Sequence, residues 1–236
     1  MHLSVLSVTY LRPKSLGRLV RCFLEQDYPC RMRELIILDD AGQYQGESGD
    51  GWRVVSVPRR FATLGQKRNA VAALASPKSE GFVIWDDDDR YLPWALSASA
   101  AAVDRARWSR PSLVLHEQPS GTLRKHKTLG LFHGGWAYRR EAFEMVSGYP
   151  WMDNGEDQGL AKRFGAAGVS EADPIALGFD PFYVYQWDNG GYHLSNLGPQ
   201  GYRRLAMRLA PSRRLTIPAS SGPPPAIEPG VHERVF

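Results

Sequence analysis

Short apolar segments alternate with amphipathic segments through the first hundred residues of the chain. The apolar segments have the length of strands, and their near-continuous hydrophobicity predicts that both of their faces are buried. The segments between them carry apolar residues at helical spacing. This alternation predicts an α/β fold, with parallel strands joined by crossover helices. The predicted strands are 3–8, 35–38, 54–57 and 82–85, and the predicted helices are 16–24, 65–75 and 93–107.

The second half of the chain has a less regular pattern. Short strands and helices are predicted there, with a polar, basic link over 117–127. From Pro211 onward the chain is rich in Pro, Ser and Gly, which is typical of a tail that wraps the body or is disordered. We therefore expect one domain over 1–210, with halves at about 1–110 and 111–210, and a tail over 211–236.

Composition and charge narrow the class of protein. The 236 residues are 43% apolar and 23% charged, which excludes wholesale disorder. The net charge of +4 suits an anionic partner such as a nucleotide or nucleic acid but requires none. Two cysteines, no signal-peptide pattern and no apolar run of about 20 residues predict a soluble, cytoplasmic protein with no transmembrane segment.

Acidic residues follow two of the predicted strands. Asp39 and Asp40 end the second strand, and the run Asp86–Asp89 ends the fourth. Ligands of parallel α/β sheets bind beyond the carboxyl ends of the strands, so both groups should face one crevice. Mn²⁺ or Mg²⁺ bridging a diphosphate is the natural partner of such a run, because a hard cation takes one or two carboxylates plus phosphate oxygens. A solvated acidic loop or a helix N-cap is the alternative.

Five segments, in chain order, resemble motifs of the GT-A glycosyltransferases, especially their large inverting family 2. Residues 82–93, FVIWDDDDRYLP, resemble the DXD strand end, and residues 155–160, GEDQGL, resemble the acidic catalytic motif. The other three are 3–13 (first strand and nucleotide loop), 23–29 with 34–40 (first helix and second strand) and 65–69 (the helix start before the DXD strand). The resemblance spans roughly residues 3–197 and implies a GT-A (Rossmann-like) single domain with a central, mostly parallel sheet flanked by helices.

The resemblance implies a binding site for a nucleotide-sugar donor, with a UDP-sugar favoured. Thr9, Tyr10 and Arg12 would hold the base and ribose, and Asp40, with Asp39 beside it, would contact the base edge or ribose. Lys67 and Arg68 would face the diphosphate, as cations at a helix start suit a phosphate site. Ordinary surface charge is the alternative for both.

The resemblance also implies a metal site and a surface for the donor sugar. Asp86 and Asp88 match the two aspartates of DXD, with Asp88 as the first ligand, while Asp87 (also a candidate donor contact) and Asp89 are register alternatives. His193 is a third candidate ligand or a diphosphate contact, unless it is a structural loop histidine. Gly135 and Trp136 would lie against the donor sugar, with a plain turn and a core tryptophan as the alternative.

Two adjacent acids are the candidates for the chemical step. In the family the second acid of the pair usually acts as base, which ranks Asp157 first and Glu156 second. An inverting transfer needs a base that takes the proton of the acceptor hydroxyl as its oxygen attacks the anomeric carbon. The alternative is that both acids only cap the helix they open.

The sequence is compatible with several acceptors and with two other classes of function. The acceptor is not determined. The basic pairs of the chain suit an anionic membrane or a lipid-linked diphosphate acceptor, and equally DNA, as for a phage-type enzyme that glycosylates hydroxymethyl pyrimidines. A sugar-nucleotide pyrophosphorylase would show a glycine-rich phosphate loop after the first strand, where this chain has YLRPK at 10–14. A non-catalytic nucleotide-sugar-binding module is the third alternative.

Overall fold

The computed structural model describes residues 1–186, 215–220 and 222–232. The strands in these residues are β1 (Leu3–Thr9), β2 (Arg33–Asp39), β3 (Ser48–Gly49), β4 (Trp52–Ser56), β5 (Gly81–Ile84), β6 (Arg90–Tyr91), β7 (Trp108–Ser109), β8 (Leu113–Glu117), β9 (Leu123–Lys127), β10 (Ala137–Arg139), β11 (Glu171–Ala172), β12 (Tyr183–Tyr185) and β13 (Ile227–His232). The helices are α1 (Pro13–Leu24), α2 (Leu64–Ala73), α3 (Ala95–Arg105), α4 (Arg140–Met145) and α5 (Glu156–Ala166), and Cys30–Met32 form a 3₁₀ turn.

The larger sheet has the order β11-β7-β10-β5-β1-β2-β4-β3, and its centre, β5-β1-β2-β4, is parallel. Alternate residues of these strands enter two separate apolar cores. Leu35 and Ile37 of β2, for example, pack into the core that contains α1 and α3, while Ile36 and Leu38 pack into the core that contains α2, α4 and α5. Burial of both faces explains unbroken apolar runs such as Leu35–Leu38 of β2, and the predicted α/β architecture is confirmed.

The smaller sheet has the order β13-β9-β8-β12-β6. The prediction of a basic link over 117–127 is wrong, because this segment closes the antiparallel hairpin of β8 and β9. β13 then pairs in parallel with β9, so part of the proline-rich tail completes the sheet.

A second part of the tail, residues 215–220, is called the strap here. A Cβ atom on Gly17 of α1 would lie 2.0 Å from the carbonyl oxygen of Thr216, so the strap passes directly over this helix. Arg21 Nε donates to the carbonyl oxygen of Pro218 at 2.7 Å. The end of the predicted domain, residues 187–210, lies outside the described residues. No helix in the described ranges is long and apolar enough to span a bilayer.

Candidate active site

The four consecutive aspartates have different surroundings, and Asp87 is buried beside β1. The register that pairs Leu6 with Ile84, extended by three residues, brings Thr9 next to Asp87. Thr9 Oγ1 donates to Asp87 Oδ2 at 2.6 Å, and Arg12 Nη1 donates to Asp87 Oδ1 at 2.8 Å. Thr9 and Asp87 therefore bind each other, and neither is exposed for direct contact with a base or ribose.

Asp89 is held by the end of β12. Its Oδ2 accepts from the Tyr183 hydroxyl at 2.5 Å, and its Oδ1 accepts from the backbone N–H of Gln186 at 2.9 Å. Burial, with the charge of Asp88 nearby, raises the pKa of Asp89 well above its usual value. Both oxygens serve to join the acidic run to the smaller sheet, so the geometry disfavours Asp89 as a metal ligand.

Asp86 and Asp88 are the two members of the run with exposed carboxylates. Their side chains are 28% and 30% exposed, against 7% for Asp87. Burial, together with the charge of Asp87, raises the pKa of Asp88 to about 6, even though Arg12 Nη1 donates to it at 2.6 Å. Two crowded carboxylates in a cleft are a suitable donor set for a divalent cation.

A divalent cation at this site would be coordinated by the carboxylates of Asp86 and Asp88 and by oxygens of a bound ligand. Among the residues that the structure describes, no group of three or more His, Cys, Asp or Glu side chains could hold a metal ion. A hard cation such as Mg²⁺ is commonly held by one or two carboxylates and the phosphates of its substrate, so Asp86 and Asp88 are compatible with it. His193, the predicted third ligand, lies outside the described residues.

Lys67 does not face a diphosphate as predicted, because its ammonium is buried between β1 and β2. Its Nζ donates to the carbonyl oxygen of Thr9 and to Asp40 Oδ1, both at 2.5 Å. Burial lowers the pKa of Lys67, although Asp40 opposes the shift. The other oxygen of Asp40 accepts from the backbone N–H of Phe61 at 3.1 Å, so this carboxylate is also committed to the fold.

Asp39 likewise organises the loop after β2. Its carboxylate accepts from the backbone N–H groups of Ala41 and Gln43 and from the Ser56 hydroxyl. It is fully buried, so it supports the crevice without lining it.

Replacement of Lys67 by Met is expected to destabilise the protein by about 3–5 kcal/mol, because Asp40 would remain buried without its partner. Urea denaturation would measure this loss. Lys78→Met, at an exposed position, is the control and should change the free energy of unfolding by less than about 0.5 kcal/mol. Equal stability of the two variants would show that the Lys67–Asp40 pair is dispensable.

Arg68 is also buried, in contrast to the prediction that it faces the diphosphate. Its Nε donates to Glu156 Oε1 at 3.1 Å, and its Nη2 donates to Asp86 Oδ1 at 3.3 Å. Burial opposes ionisation of the guanidinium, but the charges of Asp86 and Glu156 outweigh it and raise the pKa of Arg68. This arginine therefore joins α5 to the acidic run.

Helix α5 presents its two first-turn acids in different directions. Gly155 precedes them with φ of 72°, a left-handed conformation that suits glycine. Successive helical residues project about 100° apart, so Glu156 points to Arg68 and is buried, while Asp157 remains partly exposed. Burial raises the pKa of Glu156. Asp157 is thus the member of the pair that faces the crevice.

Asp157 and Asp86 line one cavity of about 310 Å³, called the catalytic cavity below. The other lining residues are Leu131, Phe132, His133, Tyr183 and Tyr185. Asp157 Oδ1 accepts from the backbone N–H of Gln158 at 2.7 Å, which fixes the carboxylate. A carboxylate and a candidate cation site thus share one cleft.

His133 is a lining residue that the sequence reasoning missed as a site residue. Its Nε2 lies 2.9 Å from the Tyr149 hydroxyl, which lies 2.8 Å from the Tyr138 hydroxyl. Burial, and to a lesser extent Arg68, lowers the pKa of His133 well below its usual value, so the ring is neutral. Its Nδ1 has no hydrogen-bond partner in the part of the chain that is described. Its position just before paired glycines was the signal available in the sequence.

Trp136 does not stack on a sugar ring as predicted, because it is fully buried in the apolar core against Trp108 and His133. Gly135 has φ of 82°, and its N–H donates to the carbonyl oxygen of Ile84 at 2.8 Å. Both residues therefore shape the turn behind the catalytic cavity and do not line it.

Tyr10 remains accessible at the carboxyl end of β1. The Arg60 guanidinium lies over its ring, 4.3 Å from the ring centroid. Arg60, which follows β4, is a second residue that the sequence did not place at the donor site. The pair forms a partly exposed planar surface beside the crevice, suitable for stacking of a base.

No known family pattern matches the sequence, and no curated protein matches it. Solved structures do match the fold. The mannosyltransferase PcManGT from Pyrobaculum calidifontis, in complex with GDP-Man and Mn²⁺, superposes with a TM-score of 0.61 at 18% identity, over 89% of this chain and 65% of that chain. S. aureus TarS 1–349 in complex with UDP-GlcNAc superposes with a TM-score of 0.59 at 17% identity, over 87% of this chain and 64% of that chain.

The chain thus spans less than two thirds of the length of each of these structures. Similarity at this level of identity shows the fold alone. The chain therefore has the fold of the GT-A glycosyltransferases.

Proposed function

We propose that this chain is an inverting glycosyltransferase that moves a sugar from a nucleotide-sugar donor to an acceptor hydroxyl with the help of a divalent cation. The observation that carries the proposal is the catalytic cavity, where Asp157 and Asp86 share one cleft. The structural neighbours support it, since one is bound to UDP-GlcNAc and another to GDP-Man and Mn²⁺.

Asp157 is the base in this proposal. It would accept the proton of the acceptor hydroxyl at a carboxylate oxygen while the acceptor oxygen attacks the anomeric carbon. Its position in the first turn of α5 favours the ionised form that a base needs, because the N-terminal end of a helix stabilises negative charge. Glu156 acts through Arg68 as a positioning residue, holding α5 against Asp86.

Asp86 and Asp88 would hold the cation, and Arg12 would fix the position of Asp88. The cation, when bound, neutralises charge that develops on the leaving diphosphate.

An inverting mechanism is supported by the observation that only one of the two α5 acids, Asp157, lines the cavity. A single displacement needs one base and no nucleophile on the protein. Asp157 lines the cavity, whereas Glu156 is paired with Arg68 and buried. The configuration of the product at its anomeric carbon, determined by NMR, tests this point directly, and retention would contradict it.

Tyr10 is proposed to stack on the base of the donor. Tyr10→Ala should weaken binding of the nucleoside diphosphate about tenfold, corresponding to about 1.4 kcal/mol of lost stacking. Calorimetric titration with UDP in the presence of Mn²⁺ would measure it. Tyr28→Ala, on the 3₁₀-turn side of the molecule, is a control that should leave this affinity unchanged. Equal affinities of the two variants would remove Tyr10 from the donor site.

A thermal-shift panel tests the proposal as a whole. The family resemblance implies a UDP-sugar, so UDP-, GDP- and dTDP-sugars should be compared, each with and without Mn²⁺. A ligand at 100 times its Kd adds about 2.7 kcal/mol of stability, so a donor should raise Tm by several degrees and raise it further with the cation. Absence of any shift across the panel would overturn the proposal.

A further inference from the structure

A second, larger cavity of about 850 Å³ lies next to the catalytic cavity. Helix α1, the hairpin of β8 and β9, the start of β6, the end of β12 and the strap form its walls. Tyr185 lines both cavities. The two cavities therefore adjoin at this residue, and the proposed function uses only the smaller of them.

The walls of this second cavity are rich in positive charge. Arg18, Arg21 and Arg90 line it, together with His116. Glu117 is the one acidic side chain that the described residues contribute, and Arg90 Nη1 already pairs with it at 2.7 Å. The remaining arginines leave the cavity with an excess of positive charge, and a concave surface concentrates such a field.

The second cavity is also joined to the acidic run. Arg90 follows Asp89 directly in the chain, and Gln186, another wall residue, donates its backbone N–H to Asp89 Oδ1 at 2.9 Å. The nucleotide surface of Tyr10 lies elsewhere, at the carboxyl end of β1. Asp157 and Tyr185 both line the catalytic cavity, and Tyr185 also lines the second cavity, so the two cavities adjoin at this residue.

We propose that the second cavity binds an anionic group, a phosphate or a carboxylate, that is carried by the acceptor. This inference rests on the proposed function, since it needs an acceptor hydroxyl at Asp157. Arginine suits the role because its planar guanidinium donates paired hydrogen bonds to the oxygens of both kinds of group. The cavity thereby selects an acceptor whose negative charge lies near the hydroxyl that is glycosylated.

Cys22 provides a reporter, because its side chain lines the second cavity. The chain has two cysteines, so Cys30→Ser leaves Cys22 as the single thiol. Its alkylation by anionic iodoacetate and by neutral iodoacetamide should be compared at mildly alkaline pH, because burial raises the pKa of this thiol. N-acetylcysteine gives the reference ratio of the two rates.

At low salt, the ratio of the iodoacetate rate to the iodoacetamide rate should be about tenfold higher at Cys22 than for N-acetylcysteine. The difference should become smaller as salt is added, because salt screens the positive field. Inorganic phosphate should slow alkylation by both reagents. A ratio equal to the reference, or a Cys22 that neither reagent reaches in the folded protein, would overturn the inference.

Arg18→Gln should lower the rate ratio at least about threefold, because this exposed arginine lines the cavity. Arg105→Gln makes the same change at an exposed position on α3 and should leave the ratio unchanged. UDP with Mn²⁺ should not protect Cys22; protection would assign the cavity to the donor and overturn the acceptor assignment. None of these outcomes depends on the thermal-shift panel, so the two proposals fail separately.

Discussion

Replacement of Asp157 by Asn is expected to lower the transfer rate about 10²–10⁴-fold, the range typical for loss of a general base. The amide cannot take the proton of the acceptor hydroxyl, but its oxygen can still accept from the backbone N–H of Gln158, as Asp157 does. Helix α5 should therefore begin at the same residue, and donor binding should persist. Release of nucleoside diphosphate measures the rate, and the donor-induced Tm shift measures binding.

Asp153→Asn is the matched control for this substitution. Asp153 is exposed four residues earlier, and its Oδ1 accepts from the backbone N–H of Leu64, which an asparagine oxygen can also do. This variant should keep the transfer rate within about twofold, in line with the small effects of surface substitutions. Retained transfer in Asp157→Asn would show that Asp157 is not the base. An equal loss in both variants would indicate that the loss of a negative charge near the start of α5 is itself the cause.

Replacement of Asp88 by Asn is expected to abolish the part of the donor-induced Tm shift that depends on Mn²⁺, and to lower the transfer rate at least about 10²-fold. Carboxylate oxygens bind a hard cation through their charge, and the loss of one of two removes much of the site. The measurement is the thermal shift produced by donor with and without Mn²⁺, together with the transfer rate at several Mn²⁺ concentrations.

The neighbouring Asp89→Asn separates metal binding from folding. Both oxygens of Asp89 accept hydrogen bonds, from Tyr183 and from the backbone of Gln186, so an amide nitrogen would face one of these donors. The expected result is a loss of about 1–3 kcal/mol in the free energy of unfolding, as for other unsatisfied buried groups. If Asp89→Asn kept its stability and lost the Mn²⁺ response, the cation would have to be assigned to Asp89.

The central strands could be predicted from sequence because their physical signal is local. Burial on both faces favours unbroken apolar runs, such as Leu35–Leu38 of β2 and Phe82–Ile84 of β5, and such runs are visible in a short window of the chain. β9 gives no such signal, since only Leu123 of its LRKHK sequence is fully buried. Its pairing with β8 and β13 is a property of the assembled sheet.

The candidate site was only partly accessible to the same reasoning. Four identical side chains in the run Asp86–Asp89 cannot be ranked by their neighbours in sequence, because their partners come from distant strands and helices. For Lys67 and Arg68 the local sequence predicts the wrong environment. Cations at a helix start are usually exposed, but here internal carboxylates bury them, and those carboxylates belong to other elements.

The pairing of β13 with β9 has a consequence for self-association. Without β13, β9 would be the edge of the smaller sheet and would present unpaired backbone groups to other molecules. The charged side chains of Arg124, Lys125 and Lys127 would oppose joining of two such edges, but like-charge repulsion weakens as salt rises. A variant without residues 222–232 should therefore aggregate, and more so at high salt. By covering the edge of β9, this part of the tail prevents strand pairing between molecules.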